Sequence, residues 1–209
     1  MADLIFSELA GKGYTFEQYL DLFEELAGNK MTTGPDQSRE KVELTRLNFQ
    51  RIKRILKTCQ VPADLKEKIQ SIEEPLTWLM LLEAWCGDGA QVMPYYAAVA
   101  SLNPRIKFRI LLRDENPEVM DRFLTDGKRS IPKFICLDRE YNVLATWGPR
   151  PAPAHDIYLA FKNNPEMTKD EFHKELHLWY ARDKGAAIMD EMLELFRNCC
   201  VNSMKEVIV

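Results

Sequence analysis

Five cysteines stand at positions 59, 86, 136, 199 and 200, and Cys86 has the setting that would make a thiol react. It lies in Trp85-Cys86-Gly87-Asp88-Gly89, directly after the apolar run Trp78-Leu79-Met80-Leu81-Leu82. A cysteine between a strand end and a helix start meets first-turn N–H groups that lack partners and carry partial positive charge. These groups favour the thiolate, the form that attacks a disulfide sulfur or a soft electrophile. Gly87 would let a partner backbone come close, and Trp85 would give the sulfur an apolar shelf. Asp88 opposes the thiolate unless its carboxylate points outward. On this reading Cys86 alkylates in the native protein below pH 7, and a thiol titrating at about 8.5 or above contradicts it.

The other candidates are weaker. An odd cysteine count without regular spacing is not a disulfide framework. Cys136 falls inside an apolar run and reads as a small buried hydrophobe. Cys59 could meet Cys86 only if the helix before it folds over the site. Adjacent Cys199 and Cys200 rarely bridge each other without strain. His173 and His177 share a helix face, but no glutamate precedes His177 to make His-Glu-x-x-His, so no metal is expected. Arg150, between Pro149 and Pro151, reads as a turn anchor, with anion binding as the other option. Trp147, Trp179, Met189 and Met192 read as core.

At 209 residues, one domain with extensions is expected. A net charge of −4 gives no reason to expect a nucleic-acid partner. No apolar run reaches the roughly 18 to 20 residues that span a bilayer. Residues 1–12 lack the apolar stretch of a secretory signal, so a reducing cytoplasm is expected.

The elements that must position Cys86 follow from periodicity. Thr15-Phe16-Glu17-Gln18 is a capping box, and Phe16, Tyr19, Leu20, Phe23 and Leu26 predict a helix over 15–27. Gly28 to Asp36 is a breaker. A second helix over 37–58 would bury Val42, Phe49, Ile52, Ile55 and Leu56. Its basic members Arg46, Arg51, Lys53, Arg54 and Lys57 read as a solvated face, with an anionic-ligand patch as the alternative. A buried strand is expected over 78–84, a helix over 88–101, a strand over 106–112 and a short helix over 116–125. Two strands over 133–138 and 142–147 form a hairpin, followed by a helix over 153–163. Thr168-Lys169-Asp170-Glu171 opens a helical tract to about 199, broken near Gly185.

Trp85-Cys86-Gly87 at a strand end, Pro94 eight residues on, and Ile131-Pro132 some 45 residues downstream resemble the thioredoxin family. The added helices and the Gly-Pro-Arg-Pro turn look most like a bacterial thioredoxin-like subfamily. The resemblance implies an α/β thioredoxin fold: a central four-stranded mixed sheet in the order β-α-β-α-β-β-α, with added N-terminal and C-terminal helices. It divides the chain into a helical extension over 1–75, a thioredoxin-like domain over 76–163 and a second extension over 164–209. It also implies a cis Ile131-Pro132 bond against the reactive cysteine, Ile131 offering its backbone to a substrate strand, and Pro94 bending the helix.

Two residues depart from that pattern. Gly89 stands where a thioredoxin carries its second cysteine, so no thiol there can resolve a mixed disulfide. Met80 stands where the assisting buried aspartate would align, and Glu83 is close in sequence without being bound to reach the sulfur. The expected function is therefore monothiol thiol-disulfide exchange: Cys86 as catalytic thiol, and Trp85, Gly87, Asp88, Gly89, Ile131 and Pro132 holding the substrate. The partners would be a protein disulfide or peptide and an external thiol such as glutathione, without cofactor, metal, nucleic acid or membrane. The alternative is a redox-inactive peptide- or protein-binding module.

Overall fold

A computed structural model describes residues 4–203, with side chains described over 5–197. The chain runs α1 (Leu4–Lys12), α2 (Phe16–Gly28), α3 (Arg39–Thr58), α4 (Ala63–Gln70), β1 (Leu76–Leu82) and α5 (Gly87–Ala100). It continues through β2 (Ile106–Leu112), a 3-10 turn (Arg113–Glu115), α6 (Pro117–Met120), β3 (Lys133–Leu137) and β4 (Val143–Trp147). Three helices follow: α7 (Ala152–Asn163), α8 (Lys169–Asp183) and α9 (Ala186–Ser203). The strands form one mixed sheet in the order β2-β1-β3-β4. β1 pairs parallel with β2, from Leu76 opposite Ile106 to Leu82 opposite Leu112. β3 is antiparallel to both β1 and β4, with a register shift at Cys136/Leu137. This is the thioredoxin fold expected from the sequence, with helices added at both ends.

Both capping boxes form: Thr15 with Gln18 opens α2, and Thr168 with Glu171 opens α8. Lys184 (φ 55°) and Gly185 (φ 85°) break the last helical tract in left-handed conformations. A side chain at 185 would strike the ring of Tyr95, its Cβ lying 2.3 Å from Cε1.

β1 is buried along its whole length, and its alternation splits the core in two. Trp78, Met80 and Leu82 face the larger cluster, with residues of α2, α3, α4, α5 and α9. There Phe196 of α9 stacks on Trp78 at 4.9 Å. Leu79 and Leu81 face the other side, against Phe6 and Leu9 of α1 and Val119 and Met120 of α6. Met189 and Met192 are core, as their sequence setting suggests.

The sequence reading missed α1 and α4 and set α6 too long. It also placed Leu56 and Val42 on the buried face of α3. Leu56 is exposed and Val42 half-buried, while Thr45 and Asn48 are fully buried instead. Those two polar residues turn inward because backbone and hydroxyl partners wait there. Asn48 donates to the carbonyl of Ala84 at 2.9 Å, and Thr45 shares a hydrogen bond with Thr32 at 2.6 Å. Thr33 Oγ1 accepts from the Ala84 N–H at 2.9 Å. α3 and the loop before it therefore clamp the backbone just ahead of Cys86. Among the described residues no helix is long and apolar enough to cross a membrane.

Candidate functional site

Cys86 is the N-cap residue of α5. Its Sγ accepts from the Gly89 N–H at 3.3 Å, and the thiol donates to the Ile131 carbonyl at 3.5 Å. The Ile131-Pro132 peptide is cis, as is Gly148-Pro149. Gly148 (φ 115°) lies against Pro132: a Cβ there would come within 2.3 Å of the Pro132 carbonyl oxygen. Only glycine permits that conformation together with that approach. The chain thus brings Trp85, Cys86, Gly87, Asp88, Gly89, Ile131 and Pro132 to one place. α5 carries Pro94 in its interior.

The electrostatics differ from the sequence expectation. Cys86 is only 7% exposed. Burial, reinforced by the Asp88 carboxylate, pushes its thiol up to about 12. The Gly89 and Asp88 N–H groups and Arg150 pull the other way and lose. The expectation of a thiol ionised below pH 7 is therefore corrected: the first-turn donors are in place, but helices outside the sequence motif remove the water a thiolate needs.

Asp88 points inward. Tyr180 Oη donates to it at 2.9 Å, and Arg150 Nη2 approaches at 2.6 Å. Burial still holds the carboxyl above its ordinary range. Arg150 lies over the ring of Tyr158 at 4.9 Å and fastens the Gly148–Pro151 turn to α5. Asp88, expected among the substrate-holding residues, has its carboxylate engaged by these two side chains.

Cys86 and Ile131 open onto a cleft of about 490 Å³. Trp85 forms part of its wall between two cations, Lys41 Nζ 4.3 Å and Arg113 Cζ 5.1 Å from the ring centroid. Lys128 and Arg129 line the cleft near Ile131, and His155, His173 and His177 line it from α7 and α8. Sequence reasoning missed Lys41, Arg113, Lys128 and Arg129 because nothing local marks them. Much of this charge is internally matched: Lys41 with Asp36 at 3.2 Å, Arg113 with Asp114 at 2.8 Å, and Arg129 with Asp121 at 2.6 Å.

The described cysteines do not reach Cys86. Cys136 pairs in register with Trp78 and packs in the larger cluster, across the sheet from the cluster holding Cys86. Cys59 caps the C-terminus of α3, whereas Asn48 of the same helix hydrogen-bonds the Ala84 carbonyl just before Cys86. The separation of 11 positions places Cys59 about 16 Å further along the helix. The side chains of Cys199 and Cys200 lie outside the described residues. Glu83 is buried and held above its ordinary range by burial, but its carboxylate accepts from the Asp114 N–H at 2.9 Å.

A thioredoxin family model matches residues 34–169, and the chain belongs to the thioredoxin family. No curated protein matches it. Two solved structures share the fold. An HIV epitope-scaffold has TM-score 0.58 and 19% identity, over 92% of this chain and 98% of its own. A Pseudomonas aeruginosa protein of unknown function has TM-score 0.56 and 20% identity, over 88% of this chain and 98% of its own.

Proposed function

We propose that the protein carries out monothiol thiol-disulfide exchange through Cys86. The observation that carries this reading is the sulfur's position: at the first turn of α5, beside the Ile131 carbonyl, on the wall of the cleft that Trp85 and Ile131 also line. Cys86 attacks one sulfur of a substrate disulfide, forming a Cys86–substrate mixed disulfide. The other substrate sulfur leaves as a thiolate and takes up the proton that Cys86 loses. An external thiol such as glutathione then attacks the Cys86 sulfur of the mixed disulfide, releasing the substrate as its thiol and leaving Cys86 joined to the external thiol; a second external thiol removes that group as its own disulfide and regenerates the Cys86 thiol. Trp85, Gly87, Gly89 and the Ile131-Pro132 edge hold the substrate, a protein disulfide or peptide. The reading belongs to a reducing compartment such as a bacterial cytoplasm, where an external thiol is abundant.

A raised thiol makes this exchange slow in the resting protein, because thiolate is the attacking species. Substrate that fills the cleft and supplies donors to the sulfur accelerates it. The test is reduction of insulin or of a glutathione mixed disulfide with glutathione as donor. Turnover that disappears in Cys86→Ser supports the proposal.

The same burial favours a second reading, a redox-silent binding module. In that case the parent shows no turnover, and a bound peptide is retained equally by Cys86→Ser.

A further inference from the structure

A second basic site shares His177 with the thiol cleft. His177 forms part of the wall of the thiol cleft and also of a separate pocket of about 330 Å³ between α3, α5 and α8. That pocket is lined by Leu47, Gln50, Arg51, Arg54, Gln91 and His177. The basic side chains converge tightly. A Cβ on Gly87 would lie 3.0 Å from His177 Cε1 and 3.5 Å from Arg51 Nη1, so the absent side chain at 87 is what admits both groups to the first turn of α5. Gln91 Nε2 lies 3.4 Å from His177 Nδ1.

These charges have few opposing partners. Among the described residues, Arg51 donates to the neutral amide of Asn48 at 2.8 Å, and neither Arg51 nor Arg54 has a carboxylate within ion-pair distance. The carboxylate acting on Arg51 is Asp88, already held by Arg150 and Tyr180. The groups acting on His177 are all basic: Arg51 and Arg54 of α3, His173 of α8, and Arg150. Like charges gathered in a partly buried pocket repel one another, and an anion relieves that repulsion.

We propose that this pocket binds a phosphate group, with Arg51 and Arg54 as its charged ligands and His177, Gln50 and Gln91 as hydrogen-bonding walls. Two guanidiniums one helical turn apart present more donors than the two oxygens of a carboxylate use, whereas the oxygens of a phosphate can engage both forks. The pocket falls in the volume range of small-molecule sites, so the phosphate comes either free or on a small organic carrier. This site stands apart from the thiol chemistry and does not depend on whether Cys86 exchanges disulfides.

The test is a titration of the full chain at pH 7 and constant ionic strength, following the His177 ring resonances by NMR. The probes are inorganic phosphate, adenosine monophosphate and acetate. Saturable shifts with phosphate, at least tenfold weaker with acetate, are expected. The exposed-residue variant Arg54→Gln weakens the phosphate response at least fivefold, and Lys66→Gln on α4 leaves it unchanged. Tighter binding of adenosine monophosphate than of phosphate assigns an organic carrier, and equal binding assigns free phosphate; both support the site. A linear shift, an equal response to acetate, or a response unaltered in Arg54→Gln overturns it.

Discussion

The carboxylate of Asp88 and the guanidinium of Arg150 meet at 2.6 Å, 9% and 17% exposed, directly behind the cysteine turn. The pair joins α5 to the turn after β4, and Tyr180 adds α8 to the same carboxylate. Removing one member of a buried pair strands the other, at a cost of about 3–5 kcal/mol. Arg150→Met should therefore destabilise the fold at pH 7 by roughly that amount. Burial already raises the Asp88 carboxyl, so its ionised form is disfavoured in the folded protein. The deficit should shrink as pH falls and the stranded carboxylate takes up a proton. Urea denaturation of parent and variant at pH 7 and pH 4 measures both effects.

Asp88 also raises the Cys86 thiol. Asp88→Asn removes that charge, leaves Arg150 nearby, and keeps an oxygen for the Tyr180 hydroxyl. Alkylation of Cys86 at pH 8 should quicken by ~3–10-fold, since one unit of pKa is a tenfold change in thiolate. Peptide-level mass spectrometry after timed iodoacetamide treatment reads this directly. An unchanged rate would show that the carboxylate does not govern the sulfur.

The buried thiol links to stability at alkaline pH. With the folded value at about 12 and an unfolded value near 8.5, the unfolded chain loses its proton first. The stabilisation is fully present below about pH 8.5 and falls as pH climbs toward the folded value. Cys86→Ser should flatten the stability profile between about pH 8.5 and 10, as followed by chemical denaturation.

His177 gives the mirror case in acid. Burial first, then the surrounding arginines and His173, depress it to about 3. Its unfolded value is near 6.5, so below that pH the unfolded chain binds a proton that the folded chain refuses. Stability should fall by about 1.4 kcal/mol for each pH unit below 6.5, until the folded value is reached. His177→Gln should lessen that slope in urea titrations between pH 6 and pH 4.

Gly89 tests the missing half of the dithiol. A Cβ there would lie 3.5 Å from Cys86 Cβ, Cys86 Sγ and Leu82 Cβ, an ordinary contact distance. Gly89→Cys should fold with a stability change within ~1 kcal/mol, form a reducible bond with Cys86, and raise insulin-reduction turnover. Thiol counting before and after reduction, with the insulin assay beside it, checks the outcome.

The sequence made the place of Cys86 legible because an apolar run, a glycine-rich turn and a helical period follow one another without interruption. Ile131-Pro132 was legible through the family resemblance rather than through local periodicity. The state of the sulfur was not, because Tyr180 stands 92 residues from Asp88 and the desolvating helices lie outside the motif. Lys41 and Arg113 flank Trp85 from elements far apart in the chain, a relation no periodicity carries. α1 escaped notice as a short helix, and its burial becomes intelligible only once Leu79 and Leu81 need cover. Asn48 and Thr45 join Phe49, Ile52 and Ile55 on the buried face of α3 because their partners belong to the backbone at Ala84 and the hydroxyl of Thr32.

The central claim is that the Cys86 sulfur of the folded protein exchanges with a disulfide. Native protein incubated with oxidised glutathione at pH 8, then quenched with acid and analysed by intact and peptide mass spectrometry, tests it most directly. The account predicts one glutathione adduct on Cys86, absent from Cys86→Ser and released by excess reduced glutathione. A native chain that never acquires an adduct at Cys86, while the urea-unfolded chain acquires one readily, would contradict it.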